Sequence, residues 1–103
     1  FWVPADVGAL VSVTMICMPG GTNATANIDL TSDFALPGQA FNTNSQADAA
    51  STYALTANQI TEVNLGSVFV GLAASHQCGV AVKNNSIGSA NLILGIHLKY
   101  TTL

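Results

Sequence analysis

NLILGIHLKYT, residues 91–101, decides the fold, because it alternates between two faces over a full strand length. Leu92, Leu94, Ile96, Leu98 and Tyr100 fall on one face, and Asn91, Ile93, Gly95, His97, Lys99 and Thr101 on the other. A continuously apolar face backed by a mixed one predicts a β-strand whose inner side meets a second sheet. Such a strand needs partners, and the rest of the chain supplies them.

Immediately upstream, QCGVAVK at 77–83 alternates again, with Cys78, Val80 and Val82 on one face. Residues 84–90 (NNSIGSA) connect it to the closing strand, and the pair reads as a hairpin. At the other end of the chain, GALVSVTMICM at 8–18 is a strong strand covered on both sides, with Ala9, Val11, Val13, Met15 and Cys17 sharing one face. Pro19, Gly20, Gly21, Thr22 and Asn23 supply turn chemistry, so a second hairpin is expected, its return arm carrying Ala24, Ala26, Ile28 and Leu30 inward. From 32 to 51 the alternation lapses into a polar stretch broken by Pro37-Gly38. It is expected to be a long crossover loop between two sheets, with a contact surface as its functional alternative. Short strands follow at 52–56 and 60–65, and SVFVGL at 67–72 fits either a strand or one helical turn. Seven or eight short strands without a convincing helix predict an all-β, two-sheet β-sandwich of jelly-roll or Greek-key type, a single domain over residues 1–103.

Composition narrows the function. Asp, Glu, Lys and Arg make up 7% of the residues, against roughly a quarter in ordinary soluble domains, while apolar residues reach 50%. A shell this neutral is expected either to be covered by neighbouring subunits or to be a Ser/Thr/Asn surface of a virion or extracellular protein. With Lys83 and Lys99 as the sole cations and a net charge of −3, no basic stripe exists for nucleic acid. The longest apolar run, VFVGLAA at 68–74, is far short of the ~18 residues of a spanning helix, so no membrane span is expected. The start, FWVPADVGALVSV, has no positive n-region and is broken by Asp6, unlike a signal peptide; beginning at Phe1, the chain is expected to be processed or a piece of something longer.

No constellation of residues argues for catalysis. Ser75 and His76 are sequence neighbours without a G-x-S-x-G elbow, and Asp29, Asp33, Asp48 and Glu62 read as solvated strand and loop carboxylates, so no catalytic residue and no cofactor is expected. Cys17, Cys78, His76 and His97 lack paired zinc spacing, and the acidic residues lack a calcium loop, so no metal is expected. Cys17 and Cys78 are read first as small buried thiols. A bridge between them is the alternative, worth about 4 kcal/mol by loop closure. Residues 23–25 and 84–86 match the glycosylation sequon at turns. The candidate contact residues are Phe1, Trp2, Phe41, Asn42, Asn44, Tyr53 and His97. The aromatic start is either a lid over the core or an anchor for a neighbour.

FWVP at 1–4, NIDL with SDF within 27–34, the PG-x-x-FN segment at 37–42 and the closing LGIHLKYT at 94–101 resemble small C-terminal β-sandwich domains of uncharacterised tailed-phage and metagenomic viral structural proteins. That resemblance covers most of the chain and carries no catalytic motif. It implies a virion component, such as a tail fibre or capsid decoration, acting as a homo-oligomer among other virion or appendage proteins, and it transfers no site residues. The expected function is a non-enzymatic module that self-associates, as a trimer, through neutral sheet faces and the 32–51 stretch. A carbohydrate-binding module stacking a sugar on Trp2, Phe41 or Tyr53, and a filament or surface-layer subunit assembling by strand addition, are the alternatives.

Overall fold

The computed structural model describes residues 1–86 and 91–103, and gives the backbone alone at 49–51, 91 and 92. Six antiparallel strands, β1 (Val7–Pro19), β2 (Asn23–Ala35), β3 (Asn44–Leu55), β4 (Thr61–Asn64), β5 (Gln77–Asn84) and β6 (Asn91–Thr102), form two sheets ordered β4-β1-β6 and β3-β2-β5. Residues 1–3 extend the second sheet: Trp2 bridges Gln77, Phe1 N and O both bond Cys78, and Val3 N donates to His76 O. The result is a β-sandwich of three strands on four. β1 pairs with β6 and β2 with β5, the nested pairing of a rolled-up hairpin as in a jelly roll. The innermost pair departs from that scheme, because β3 lies beside β2 and β4 beside β1.

Three expectations need correction. Residues 19–23 do not close a hairpin; they turn a corner, since β1 and β2 belong to opposite sheets. The same holds for β5 and β6, whose connection lies partly at 87–90, outside the described residues. Most consequentially, 32–51 is not a crossover loop. β2 runs on through Ala35 and returns as β3 in a true hairpin, leaving only 36–43 as loop. Two successive turns build that loop. Gln39 N donates to Leu36 O at 3.0 Å with Pro37 second and Gly38 third at φ 89°, the geometry of a type II turn, and Thr43 N then donates to Ala40 O at 3.0 Å. Polarity hid the strand because the inner face of β3 begins with Asn44, Gln46 and Asp48, which serve as hydrogen-bonding groups.

Their partner is the connection after β4. It contains a 3-10 turn at Gly66–Val68 and plugs the β3/β4 side of the sandwich with Leu65, Val68, Phe69 and Leu72, all buried. Gln46 Nε2 donates to Val70 O at 2.8 Å while its Oε1 accepts from Val70 N at 2.9 Å, and Ser67 Oγ donates to Asp48 Oδ2 at 2.8 Å. From the facing strand, the buried hydroxyl of Ser32 donates to Val68 O. Ser32→Ala leaves that carbonyl unpaired in the core and is expected to cost about 1–3 kcal/mol, read as a lower urea midpoint at unchanged slope.

The core gathers Val13, Met15 and Cys17 of β1 with Ala26, Ile28, Leu30 and Phe34 of β2. Strict alternation fails on β1 at two bulges, where Gly8 and Val11 have no partner on β6. Past Val11 the inward series switches from even to odd, so Leu10 packs on the core while Ala9 and Val11 are exposed and Val13, Met15 and Cys17 follow inward. Gly8 is required at its bulge: a Cβ there would sit 2.9 Å from Thr102 O. On β6 the odd residue is Leu94, skipped between the Gly95–Ile16 and Ile93–Cys17 pairs, while Ile96, Leu98 and Tyr100 face inward as expected. The side chain of Leu92 lies outside the described residues.

Candidate functional site

Two surfaces stand out. The first is a cleft of about 660 Å³ on the second sheet, bounded by residues 1–2 and the 36–41 turn. Pleating explains which residues reach it. Phe1 and Val3 point inward, Phe1 packing edge-on against Phe69 at 5.3 Å and Val3 fully buried, so Trp2 between them points out and stays 50% exposed. The aromatic start is therefore a lid over the core through Phe1 and Val3, and an exposed aromatic wall through Trp2. Phe41, 73% exposed on the β2–β3 loop, and Leu36 with Pro37 also line the cleft.

The floor is polar at one point and bare at the next. Asp33 of β2 lies between Ser45 of β3 and Gly79 of β5, and Ser45 Oγ donates to Asp33 Oδ1 at 2.6 Å. Gln39 is held by its Oε1, which accepts from Leu36 N at 2.9 Å, leaving its amide Nε2 to point elsewhere. Gln77 lines the cleft beside Trp2.

Of the candidate contact residues, Phe1, Trp2 and Phe41 are thus brought together, and Asn42 is exposed on the same loop. Asn44 has a local task, its Nδ2 donating to Phe34 O at 3.0 Å across the mouth of the hairpin. Tyr53 is not part of the cleft; it packs half-buried against the core at the far half of β3, opposite Ala26. His97 sits exposed on β6 of the other sheet, beside Thr14. Asp33, Gln39, Gln77 and Gly79 also line the cleft, and no local pattern in the sequence marks them for it. The Pro37-Gly38 turn was the one readable signal, since it folds the loop back over β2.

Cys17 and Cys78 are free thiols. A bridge is ruled out by place: Cys17 precedes the corner into β2, whereas Cys78 pairs with Phe34 near the other end of that 13-residue strand, about 40 Å long. Disulfide geometry allows only ~4 Å between Cβ atoms. Burial raises the pKa of both, that of Cys78 from 9.0 to about 11. The folded chain therefore disfavours thiolate. The stability this confers is complete below the unfolded value near 9.0 and is lost as pH rises through about 11. Alkaline titration of the urea midpoint is expected to show this fall, with Cys78→Ala removing part of it. The asparagines of both sequons are engaged in turns, Asn23 Oδ1 accepting from Thr25 N and Asn84 Oδ1 from Ser86 N, each at 2.9 Å.

The second surface is the side of the sandwich flanked by β5 and β6. On the β3/β4 side the plug residues Leu65, Val68, Phe69 and Leu72 and the neighbouring Val63 and Leu55 are buried, with Leu10 and Tyr53 partly so. Here the inward residues Cys78, Val80 and Val82 of β5 and Ile96, Leu98 and Tyr100 of β6 pack on the core yet stay only partly buried. Leu94, 51% exposed, lies at the bulge of β6 next to Ile96 of this strip. Residues 1–3 cover only the Gln77–Cys78 end of the β5 edge, and β6 pairs with β1 alone among the described residues.

Compared with known proteins, the chain matches no family model, no curated protein and no solved structure. Its function is therefore argued from these two surfaces. No three His, Cys, Asp or Glu side chains among the described residues are placed to share a metal ion, and no helix among them is long and apolar enough to cross a membrane.

Proposed function

We propose that the chain is a non-enzymatic assembly module, a β-sandwich that associates with further copies of itself along the β5/β6 side as a structural part of a virion or other extracellular appendage. The observation that carries this reading is the asymmetry of the sandwich: one side is plugged by four buried apolar residues, and the other leaves two rows of inward-facing apolar side chains only partly buried, beside the twelve-residue strand β6, whose outer edge has no partner among the described residues. A long unpaired edge offers backbone donors and acceptors to another strand, and a second copy brings the same neutral chemistry.

Size and charge favour a second copy as the occupant. A strip about 40 Å long, spanning two sheet edges about 10 Å apart with their side chains, offers roughly 600–800 Å² per copy, close to half of a standard interface. The chain's total surface of 5661 Å² is ordinary, near the ~5,400 Å² expected for its mass, so what is unusual is its chemistry rather than its extent. With 7% charged residues, copies meet without strong repulsion. The resemblance to viral structural domains points the same way.

The test is sedimentation equilibrium across a wide concentration range. A mass rising to a fixed multiple of 10.5 kDa is expected, three copies being the state anticipated from the sequence. A single 10.5 kDa species at the highest concentration overturns the proposal.

A further inference from the structure

We infer that the cleft between Trp2 and Phe41 is a binding site for a neutral pyranose sugar, separate from the association side. A pyranose has an apolar C–H face, which stacks on an aromatic ring, and a rim of hydroxyls that both donate and accept hydrogen bonds. The cleft offers both in the matching places. Trp2 and Phe41 supply exposed aromatic rings to its lining, and Asp33, Gln39 and Gln77 supply polar groups to the same lining.

Two of these polar groups are already fixed by the fold. Ser45 holds one oxygen of Asp33, so the other is left as an acceptor. Leu36 N–H holds the carbonyl oxygen of Gln39, so its amide nitrogen is left as a donor. Groups held in place before a ligand arrives lose little freedom on binding, which is the condition for useful affinity from few contacts. Gly79 completes the arrangement. It occupies the strand position across from Asp33, on the floor of the cleft, where any side chain would fill the space a ring needs. An added Cβ there meets its nearest neighbour, Asp33 O, only at 3.9 Å, so the backbone does not demand glycine and the vacancy is free to serve the cleft.

Charge selects the class of sugar. Neither Lys83 nor Lys99 lines the cleft, and the one cation at its edge, the Phe1 ammonium, is bonded to Cys78 O, so an anionic sugar such as sialic acid meets the Asp33 carboxylate without a lysine or arginine to pair with. A proline-rich peptide is the competing occupant of an aromatic groove, but it brings few donors to satisfy the Asp33 carboxylate and an amide pair.

The only tryptophan of the chain is Trp2, so intrinsic fluorescence reports this cleft directly. Titration with glucose, galactose, mannose and N-acetylglucosamine is expected to give a saturable spectral shift with at least one of them, at affinities of about 0.1–10 mM, and none with sialic acid. Gly79→Val fills the floor at a position that suits a β-branched residue and is expected to abolish the shift while the circular dichroism spectrum stays unchanged. Phe41→Ala, on an exposed loop where it cannot unfold the chain, is expected to weaken binding about tenfold. The inference is overturned by an absent response to all four sugars, by a response that survives Gly79→Val, or by saturation with a proline-rich peptide instead. None of these outcomes bears on self-association, which sedimentation reads independently.

Discussion

Phe34→Ala is expected to lower stability by about 3–5 kcal/mol, the largest single-residue loss in the chain. Phe34 is 1% exposed and sits where three parts of the fold meet. Its ring lies 5.6 Å from Phe69 of the plug and 5.3 Å edge-on from His76, and Phe69 in turn holds Phe1 of the lid. Removing it opens a cavity that two loops and one strand would all have to collapse to fill, and it also removes two aromatic contacts of about 0.5–1.5 kcal/mol each within that total. A domain of this size has about 5–15 kcal/mol in all, and each kcal/mol shifts the thermal midpoint by about 4–8 °C. Calorimetry is therefore expected to show a midpoint drop of tens of degrees. Phe41→Ala, which removes the same side chain from the loop, is expected to change stability by less than about 0.5 kcal/mol, because Phe41 is not part of the core. An equal effect of the two substitutions would contradict the core described above.

The second large effect is expected on association. Leu94→Glu places a carboxylate on the exposed edge strand β6 beside the strip, at a bulge residue that has no ladder partner on β1 and so contributes little to the isolated fold. If the strip is buried between copies, the charge loses its water without a counter-charge, at about 2–5 kcal/mol, and association weakens by at least about thirtyfold. Ile60→Glu is the control. Ile60 is also exposed, at 63%, but it precedes β4 on the far edge of the same sheet. Sedimentation is expected to show Leu94→Glu as the chain monomer and Ile60→Glu assembled like the parent, with equal thermal midpoints at dilutions where all three are dissociated. The reverse pattern would move the contact to the β4 edge.

How much of this was legible follows from what each signal depends on. The alternation of Ile96, Leu98 and Tyr100 and of Ala26, Ile28 and Leu30 marked strands and their inner faces, because the pleat acts on neighbouring residues only. The same signal failed on β3. There the inward side chains Asn44, Gln46 and Asp48 are polar, and they are inward because Phe34 O, Val70 and Ser67 need hydrogen bonds at those points. Parity was also lost at Gly8, Val11 and Leu94, since a bulge depends on the partner strand. The cleft was half legible: Trp2 and Phe41 are conspicuous aromatics, but their approach depends on Trp2 pairing with Gln77 far along the chain.

By itself, then, the sequence determined that the chain is all-β, where its strands lie apart from β3, and that its exterior is nearly uncharged, all properties of composition and local period. Only the tertiary structure decided which sheet each strand joins, which side of the sandwich is plugged, and which aromatics share a cleft. The reason is geometric. A turn such as 19–23 has the same residues whether it returns the chain beside itself or carries it across to the facing sheet, and the choice is made by long-range pairings of β1 with β6 and β2 with β5 that no local pattern encodes.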